Sequence, residues 1–534
     1  MNLNQPKEKT AWFCMLLLLL LGYLIAFSII NFVGLPWFLG DDSYGDTLIA
    51  RYIWEKKSLF PEGWVYGNQY YVVATPVLAA LFYGLTGSMN LAMALATSTM
   101  TVLLLLALWW MLRPFLSPLP ILAAEVALVS AALAMNLHYK QEAQLLFVMA
   151  SYYACYLLTL LVVWGDYLHG LFRGKRLLCP SFFLGLLLSF ATGMQSLRQT
   201  CIMVLPLLAF EGLRVLAMLL GRARRDWMPT LRALASAAAN GAGLLAIRAL
   251  HVPAATIYGS VELLPLDQLP DHLHRAVGAI SQITGLGYLS TYDPPWFLAL
   301  FGLATIGVVL LALGSALLGW IRHREQARTH APLDALLSLC VISLLAVLAS
   351  GLVLNVELRS IYFFLWYLLI ALSFVSLLAR CRTLGRRAVL AGLCLLSLSN
   401  LYFSYGPNIR KALEQPEDLW FRVAEELMGH DYEILYGRWD YANIVAGYTD
   451  GKVISAAWYG TVCQPLGYIN PQDLYDPEDN SRAVYLVQDG EMGPFTARAQ
   501  EVGAQLTLVR QFEAVSLYTS DRQLMQPAPE TPQS

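Results

Sequence analysis

Apolar runs as long as a lipid bilayer is thick constrain this chain more than any other feature. CMLLLLLLGYLIAFSIINFVG, starting at Cys14, and LFGLATIGVVLLALGSALLGW, starting at Leu300, reach the roughly 20 residues a helix needs to cross the hydrocarbon core. In lipid the backbone must satisfy its own hydrogen bonds, so runs of this length are read as helices. Only 13% of the residues are charged and 57% are hydrophobic, whereas a soluble domain carries roughly 25% charged residues. The chain therefore reads as a polytopic α-helical membrane protein. A net charge of −2 supplies no bulk attraction to nucleic acid. The eight cysteines are scattered, with no CxxC and no zinc spacing, so neither a disulfide framework nor a metal cluster is expected. No small-residue cleavage site follows the first run, which is read as a retained helix rather than a signal peptide.

Basic clusters set the expected orientation. Lys7/Lys9, Arg113, Arg173-Lys175-Arg176, Arg222-Arg224-Arg225, Arg322-Arg324-Arg328 and Arg380-Arg382-Arg386-Arg387 are placed in the cytoplasm. An even number of spans then separates each cluster from the next. After Arg113 the pairs fall near 118–136 and 143–165, 181–194 and 200–220, 230–250 and 296–321, and 332–354 and 361–379. A last helix near 388–405 leads outward. Before Arg113 there are three apolar stretches, 11–33, 70–86 and 88–112. The middle one is short, contains Pro76 and ends at Gly84 and Gly87, so it is read as lying on the outer face. About eleven spans result, with the carboxyl end outside. The outer loop 251–295 is expected to carry an amphipathic helix around Asp271.

After residue 406 the pattern changes to short strands between Gly/Asp breakers, following one helical segment, LWFRVAEELMGH. The expected organisation is a membrane part at 1–406, a small extracytoplasmic α/β domain at 407–522 and a disordered tail at 523–534. No internal repeat is visible.

The candidate chemistry begins with Asp41-Asp42, just beyond the first span in GLPWFLGDDSYGDTLIARYIWEKKSLFPEGW. One carboxylate suffices to cap the helix that follows; the second asks for another role, and carboxylates serve as general bases and metal ligands. Asp46, one turn on, is expected to face solvent or pair with Arg51. The short outer loop HYKQEAQ carries His138, Lys140 and Glu142. His138 and Glu142 are four residues apart, a spacing that suits a divalent cation. Arg198 and Arg359 sit at outer span ends, against the positive-inside trend. Snorkelling accounts for such residues, but so does bidentate binding of a phosphate. Glu125 and Glu211 lie within apolar sequence, where an acid is a functional candidate by default; Glu211 has Arg214 beside it as a local partner. The aromatic series Trp37, Tyr44, Trp54, Trp64, Tyr66, Tyr70 and Tyr71 reads equally as an interface belt or as sugar-stacking faces.

Asp41-Asp42, SYGDTLIARYIWEKK and ATPVLAALFYGLTG together resemble the first outer loop of the GT-C superfamily of membrane glycosyltransferases. Relatives include protein O-mannosyltransferases and lipid A aminoarabinose transferases. In that pattern an acidic pair opens the loop, and a helix on the membrane and a Pro-containing helix follow. Position 42 departs from it, with Asp where Glu is usual. The tail, with YGRWDYANIVAGYTDGKV, is similar to soluble tails of bacterial members; no WWD-type motif is present, which sets the oligosaccharyltransferases apart. The resemblance implies inverting transfer of a sugar from a polyprenyl-phosphate donor to a glycan, lipid or protein acceptor, outside the bacterial cytoplasmic membrane. Asp41 would be the general base with Asp42 secondary. Arg359, Arg198 and Lys140 would hold the donor phosphate, and Tyr44, His138 and Glu142 would line the site. The resemblance fixes no cofactor, a divalent cation being an open addition. The competing readings are a transporter or flippase, a polysaccharide polymerase or ligase of another fold, and a structural assembly factor. A transporter predicts repeats and mid-membrane polar groups.

Overall fold

The computed structural model describes residues 6–38, 41–67, 69–133, 146–174, 176–221, 225–255, 262–287, 296–322, 327–356, 358–415, 417–475 and 480–526. Within them the side chains at 6, 41, 42, 320–322 and 327–329 are left undescribed. Nine helices among the described residues are long and apolar enough to cross a membrane. They are Lys7–Phe32, Met89–Leu112, Ala154–Arg173, Leu197–Leu219, Met228–Ala249, Trp296–Gly319, His330–Val353, Ser360–Arg380 and a ninth starting at Thr383. Two further expected spans are shorter helices, Pro118–Ala131 and Pro180–Gln195. The span expected at 143–165 is corrected. Its helix runs Ala154–Arg173, after an irregular stretch in which Met149 and Ser151 have positive φ.

The stretch expected to stay out of the bilayer folds as the 12-residue helix Thr75–Thr86. At 1.5 Å per residue it is about 18 Å long, short of the roughly 30 Å hydrocarbon core. Pro76 falls in its first turn, where a missing N–H costs nothing. Gly87, at φ 69°, ends it by donating to the Tyr83 carbonyl. The amphipathic helix expected in 251–295 is Leu269–Ile283.

Pro180–Gln195 packs closely on Met228–Ala249 because two glycines let the backbones approach. A Cβ at Gly193 would lie 2.1 Å from the Asn240 carbonyl oxygen, and one at Gly243 2.0 Å from that of Phe190. Backbone cannot rotate away as a side chain can, so the helices must separate. Gly243→Ala should destabilise the protein by about 1–3 kcal/mol. Gly241→Ala, where a Cβ meets nothing within 4 Å, should be neutral or better, since alanine favours helix. Thermal unfolding in detergent checks both, and equal midpoints for the two variants would refute this account of the packing.

The carboxyl-terminal part holds a five-stranded sheet. Its strands are β2 (Ile434–Arg438), β3 (Ile454–Trp458), β5 (Ala483–Gln488), β6 (Leu506–Gln511) and β7 (Val515–Ser520), in the order β3-β2-β5-β7-β6. β2 is parallel to β3 and β5, while β7 is antiparallel to β5 and β6. Side chains alternate across it as strand geometry requires. Tyr436 and Tyr485 join one core with Phe495; Leu435, Val484 and Leu486 join another with Val423 and Leu427.

This domain is fastened to the outer loop. The two-residue strand β1 (Trp64–Val65) pairs antiparallel with β4 (Asn470–Pro471). Trp37 sits with ring centroids 5.0 Å from Phe421 and 5.2 Å from Tyr448. Arg51 donates to the Gly451 carbonyl at 2.7 Å, and Asp450 accepts from the Asn90 backbone N–H at 2.7 Å.

Candidate functional site

The helix Asp41–Lys56 lies between two partners and shows each a different face. Ser43 Oγ is 3.0 Å from the Tyr152 hydroxyl, and Asp46 accepts a 2.5 Å hydrogen bond from the Tyr71 hydroxyl. The other face meets the carboxyl-terminal domain. There the Tyr44 hydroxyl accepts from the Ser455 N–H at 3.3 Å, and burial pushes the Tyr44 phenol up to about 12. A Cβ at Gly45 would lie 3.1 Å from the Ile469 side chain, which would have to give by a few tenths of an ångström to admit it.

On the first face opens a cavity of about 860 Å³, including its mouth. Asp46, Trp64, Tyr66, Tyr71 and Gln69 line it from the outer loop, and Tyr152 and Tyr153 from the start of Ala154–Arg173. Arg198, Arg359 and Tyr362 line it from the ends of later membrane helices, and Ile469 from the carboxyl-terminal domain.

Arg198 owes its position to a break in the helix. At Ser196 (φ −167°, ψ 142°) Pro180–Gln195 ends, and the Ser196 side chain accepts from the Arg198 N–H at 3.1 Å. Arg198 Nη1 donates to the Tyr153 hydroxyl at 2.9 Å, and the guanidinium stands 4.8 Å from the Tyr362 ring centroid. A π-helical turn, Thr200–Val204, follows at once. Such turns widen a helix locally and are frequent at functional sites. The Gln195 carbonyl accepts from the Tyr70 N–H at 2.9 Å, and its side chain accepts from the Val73 N–H at 2.9 Å. The outer loop is thereby tied to the same corner. Arg359 starts the one-turn helix Ser360–Phe363 and is exposed.

The two arginines singled out from sequence therefore meet in one cavity. The expectation for Asp46 is overturned. Asp46 is 2% exposed and bonded to Tyr71, while Arg51 pairs with Glu55 at 2.7 Å. Tyr44, expected to line the site, contacts the carboxyl-terminal domain through the Ser455 N–H. Asp41 and Asp42 begin the helix, with side chains outside the described part. His138, Lys140 and Glu142 lie outside the described residues. Among the described residues no group of three or more His, Cys, Asp or Glu is placed to hold a metal ion. Glu211 has the local partner expected, Arg214 at 2.6 Å. Glu125 is buried on Pro118–Ala131, away from the cavity lining. Sequence reasoning missed Ile469 and Gln69 altogether.

No protein-family model matches the sequence, and no curated protein sequence matches it. Solved structures similar to this chain include two of one protein. One is ArnT from Cupriavidus metallidurans bound to undecaprenyl phosphate, with a TM-score of 0.55, 12% identity, and coverage of 97% of this chain and 99% of that one. The other is the same protein in the apo state, with a TM-score of 0.42, 12% identity and the same coverage. The first likeness shows a fold shared with that protein along nearly the whole of both chains, carboxyl-terminal domain included.

Proposed function

We propose that this multi-pass membrane protein is a glycosyltransferase. It moves a sugar from a polyprenyl-phosphate donor to a glycan, lipid or protein acceptor on the outer face of the bacterial cytoplasmic membrane. One observation carries the reading: Arg198, Arg359, the buried carboxylate of Asp46 and a wall of aromatic side chains converge on a single cavity. Arginines there suit a lipid phosphate, and aromatic faces with hydroxyl-bearing rims suit a sugar. The fold shared with ArnT, whose solved structure holds undecaprenyl phosphate, points the same way.

In the proposed reaction the Asp41 carboxylate takes the proton of an acceptor hydroxyl, and Asp42 assists in placing it. The acceptor oxygen attacks the anomeric carbon from the side opposite the phosphate. As that bond forms, the bond from carbon to phosphate oxygen breaks, and its electron pair leaves on the lipid phosphate. The sugar inverts. Arg198 and Arg359, with Lys140 as a further candidate, stabilise the charge that grows on the departing phosphate. His138 and Glu142 remain candidates for the rim, where they would also suit a divalent cation.

Titration of purified protein with undecaprenyl phosphate, followed by transfer assays from polyprenyl-phosphate sugars, tests the reading. Saturable binding without any transfer from such donors would leave only a lipid carrier. The same reading requires the carboxyl-terminal domain to lie outside. Cys463 is fully buried, so a cysteine at the exposed Glu513 is the better reporter. Glu513→Cys should react with an impermeant thiol reagent on intact cells, and Leu384→Cys, 79% exposed at the opposite end, only after lysis. The reverse pattern inverts the topology.

A further inference from the structure

The helix Lys7–Phe32 delivers the chain to Trp37 and the carboxyl-terminal domain at one end. Its other end borders a second cavity of about 1330 Å³, including the mouth. Four segments meet there: the start of that helix, the turn between Met89–Leu112 and Pro118–Ala131, the end of Ser360–Arg380, and the start of the helix beginning at Thr383. Lys9 and Arg386 line the cavity, and both are exposed. Most of the remaining lining is apolar, with Phe13, Leu116, Leu378 and Leu390 in it, and no acid lines it among the described residues.

The two cations are surplus charge. Glu8 is taken by Arg387 at 2.5 Å, and Asp334 by Arg380. Among the described residues neither Lys9 nor Arg386 forms an ion pair. Basic residues at span ends follow from orientation alone, but orientation does not set them over a groove. Arg382, exposed in the same cluster, is not part of the lining.

The spacing orders the groove by depth. Lys9 and Phe13 are four residues apart on one helix, and Arg386 and Leu390 four apart on another, so each pair shares a helical face. On both helices the cation stands at the start and the apolar residue about one turn, roughly 5–6 Å, further along. Leu390 is 1% exposed, so that lower wall is well packed. Charge at the mouth above hydrocarbon is the order of groups in an amphiphile. Inorganic phosphate would leave the apolar walls uncovered, and a lipid without net charge would leave the cations unmatched. Basic pockets between membrane helices take anionic head groups on these terms.

We propose that this groove binds one anionic glycerophospholipid of the surrounding leaflet. Its phosphate lies between Lys9 and Arg386, and an acyl chain runs along Phe13 and Leu390. The site is separate from the Arg198 cavity, whose wall includes Ile469 of the carboxyl-terminal domain, and it does not depend on the glycosyltransferase reading.

The test titrates delipidated full-length protein in neutral detergent with phosphatidylglycerol and with phosphatidylethanolamine of the same chains, counting bound lipid by native mass spectrometry. The parent should bind one phosphatidylglycerol about fivefold or more tighter than phosphatidylethanolamine. Lys9→Gln and Arg386→Gln should each lose about fivefold in affinity for phosphatidylglycerol, and the double variant about 30-fold, the worth of one and two cations near a phospholipid head group. Arg386→Lys, which restores the charge, should recover most of the loss. Arg382→Gln removes the same charge outside the lining and should lose less than about twofold. Arg198→Ala should bind phosphatidylglycerol as the parent does. Deacylated glycerophosphoglycerol in large excess should not displace the lipid.

Equal binding of the two phospholipids by the parent would overturn the proposal. So would a loss in Arg382→Gln as large as that in Arg386→Gln, which would mean a diffuse surface field. Failure of Arg386→Lys to recover affinity would mean that the arginine acts through packing and not as a charge. Displacement by the deacylated head group would leave a site for free phosphate esters, without the chain. A loss in Arg198→Ala would assign the bound lipid to the other cavity.

Discussion

Asp41→Asn should fold and insert like the parent and transfer sugar about 10²–10⁴-fold more slowly, the range general-base assistance typically supplies. Asparagine keeps the size and most of the hydrogen bonding, and it can still cap the helix. What it loses is the ability to take a proton from the attacking hydroxyl. Asp42→Asn should cost less, since that carboxylate is assigned to placement. The measurement is transfer from a defined lipid donor by purified variants at equal amounts. A nearly unimpaired Asp41→Asn beside an inactive Asp42→Asn would move the base to position 42. If both remained active, the mechanism would fail.

The second large effect is expected at Arg198. Arg198→Ala should weaken binding of undecaprenyl phosphate by about 10–100-fold, because hydrogen bonds to a charged partner are worth roughly 1.5–3 kcal/mol. The guanidinium is half-buried, bonded to Tyr153 and set over Tyr362, so it is held in place before the ligand arrives. Arg198→Lys should recover only part of the loss, because an ammonium lacks the planar fork and stacks less well. Arg359→Ala should weaken binding less, since that side chain is exposed and its field is better screened. Binding isotherms in detergent or nanodiscs give the numbers directly. An unchanged isotherm for Arg198→Ala would place the phosphate elsewhere.

Much of the fold was legible because the bilayer imposes a coarse rule. Apolar runs such as Cys14–Gly34 announce themselves, and the shortness of 70–86 together with its glycines was enough to keep it out of the span count. Arg198 and Arg359 were legible for the same reason, standing out as cations where cations are usually sparse. Asp46 was misread because an acid on an amphipathic helix defaults to the wet face. The signal that corrects it was present: Asp46 lies one turn from Asp42, so a functional role for the pair drags position 46 toward the same side. The late start of Ala154–Arg173 was hidden because an apolar stretch does not reveal where its backbone leaves the helix. Ile469 left no trace. Its place in the cavity depends on a two-residue strand pairing between distant segments, too short to show any periodicity.

That pairing also sets a schedule. Trp64 and Pro471 are 407 residues apart in sequence (471 − 64), and a ribosome adding roughly 5–20 residues per second needs about 20–80 s to make that stretch. For that time the loop that carries Trp64 is without its partner strand, and the cavity lacks the wall that Ile469 supplies. Every membrane helix is synthesised before the wall arrives. A chain cut short between the last membrane helix and residue 470 would thus keep its membrane helices yet lack the wall that Ile469 gives the cavity.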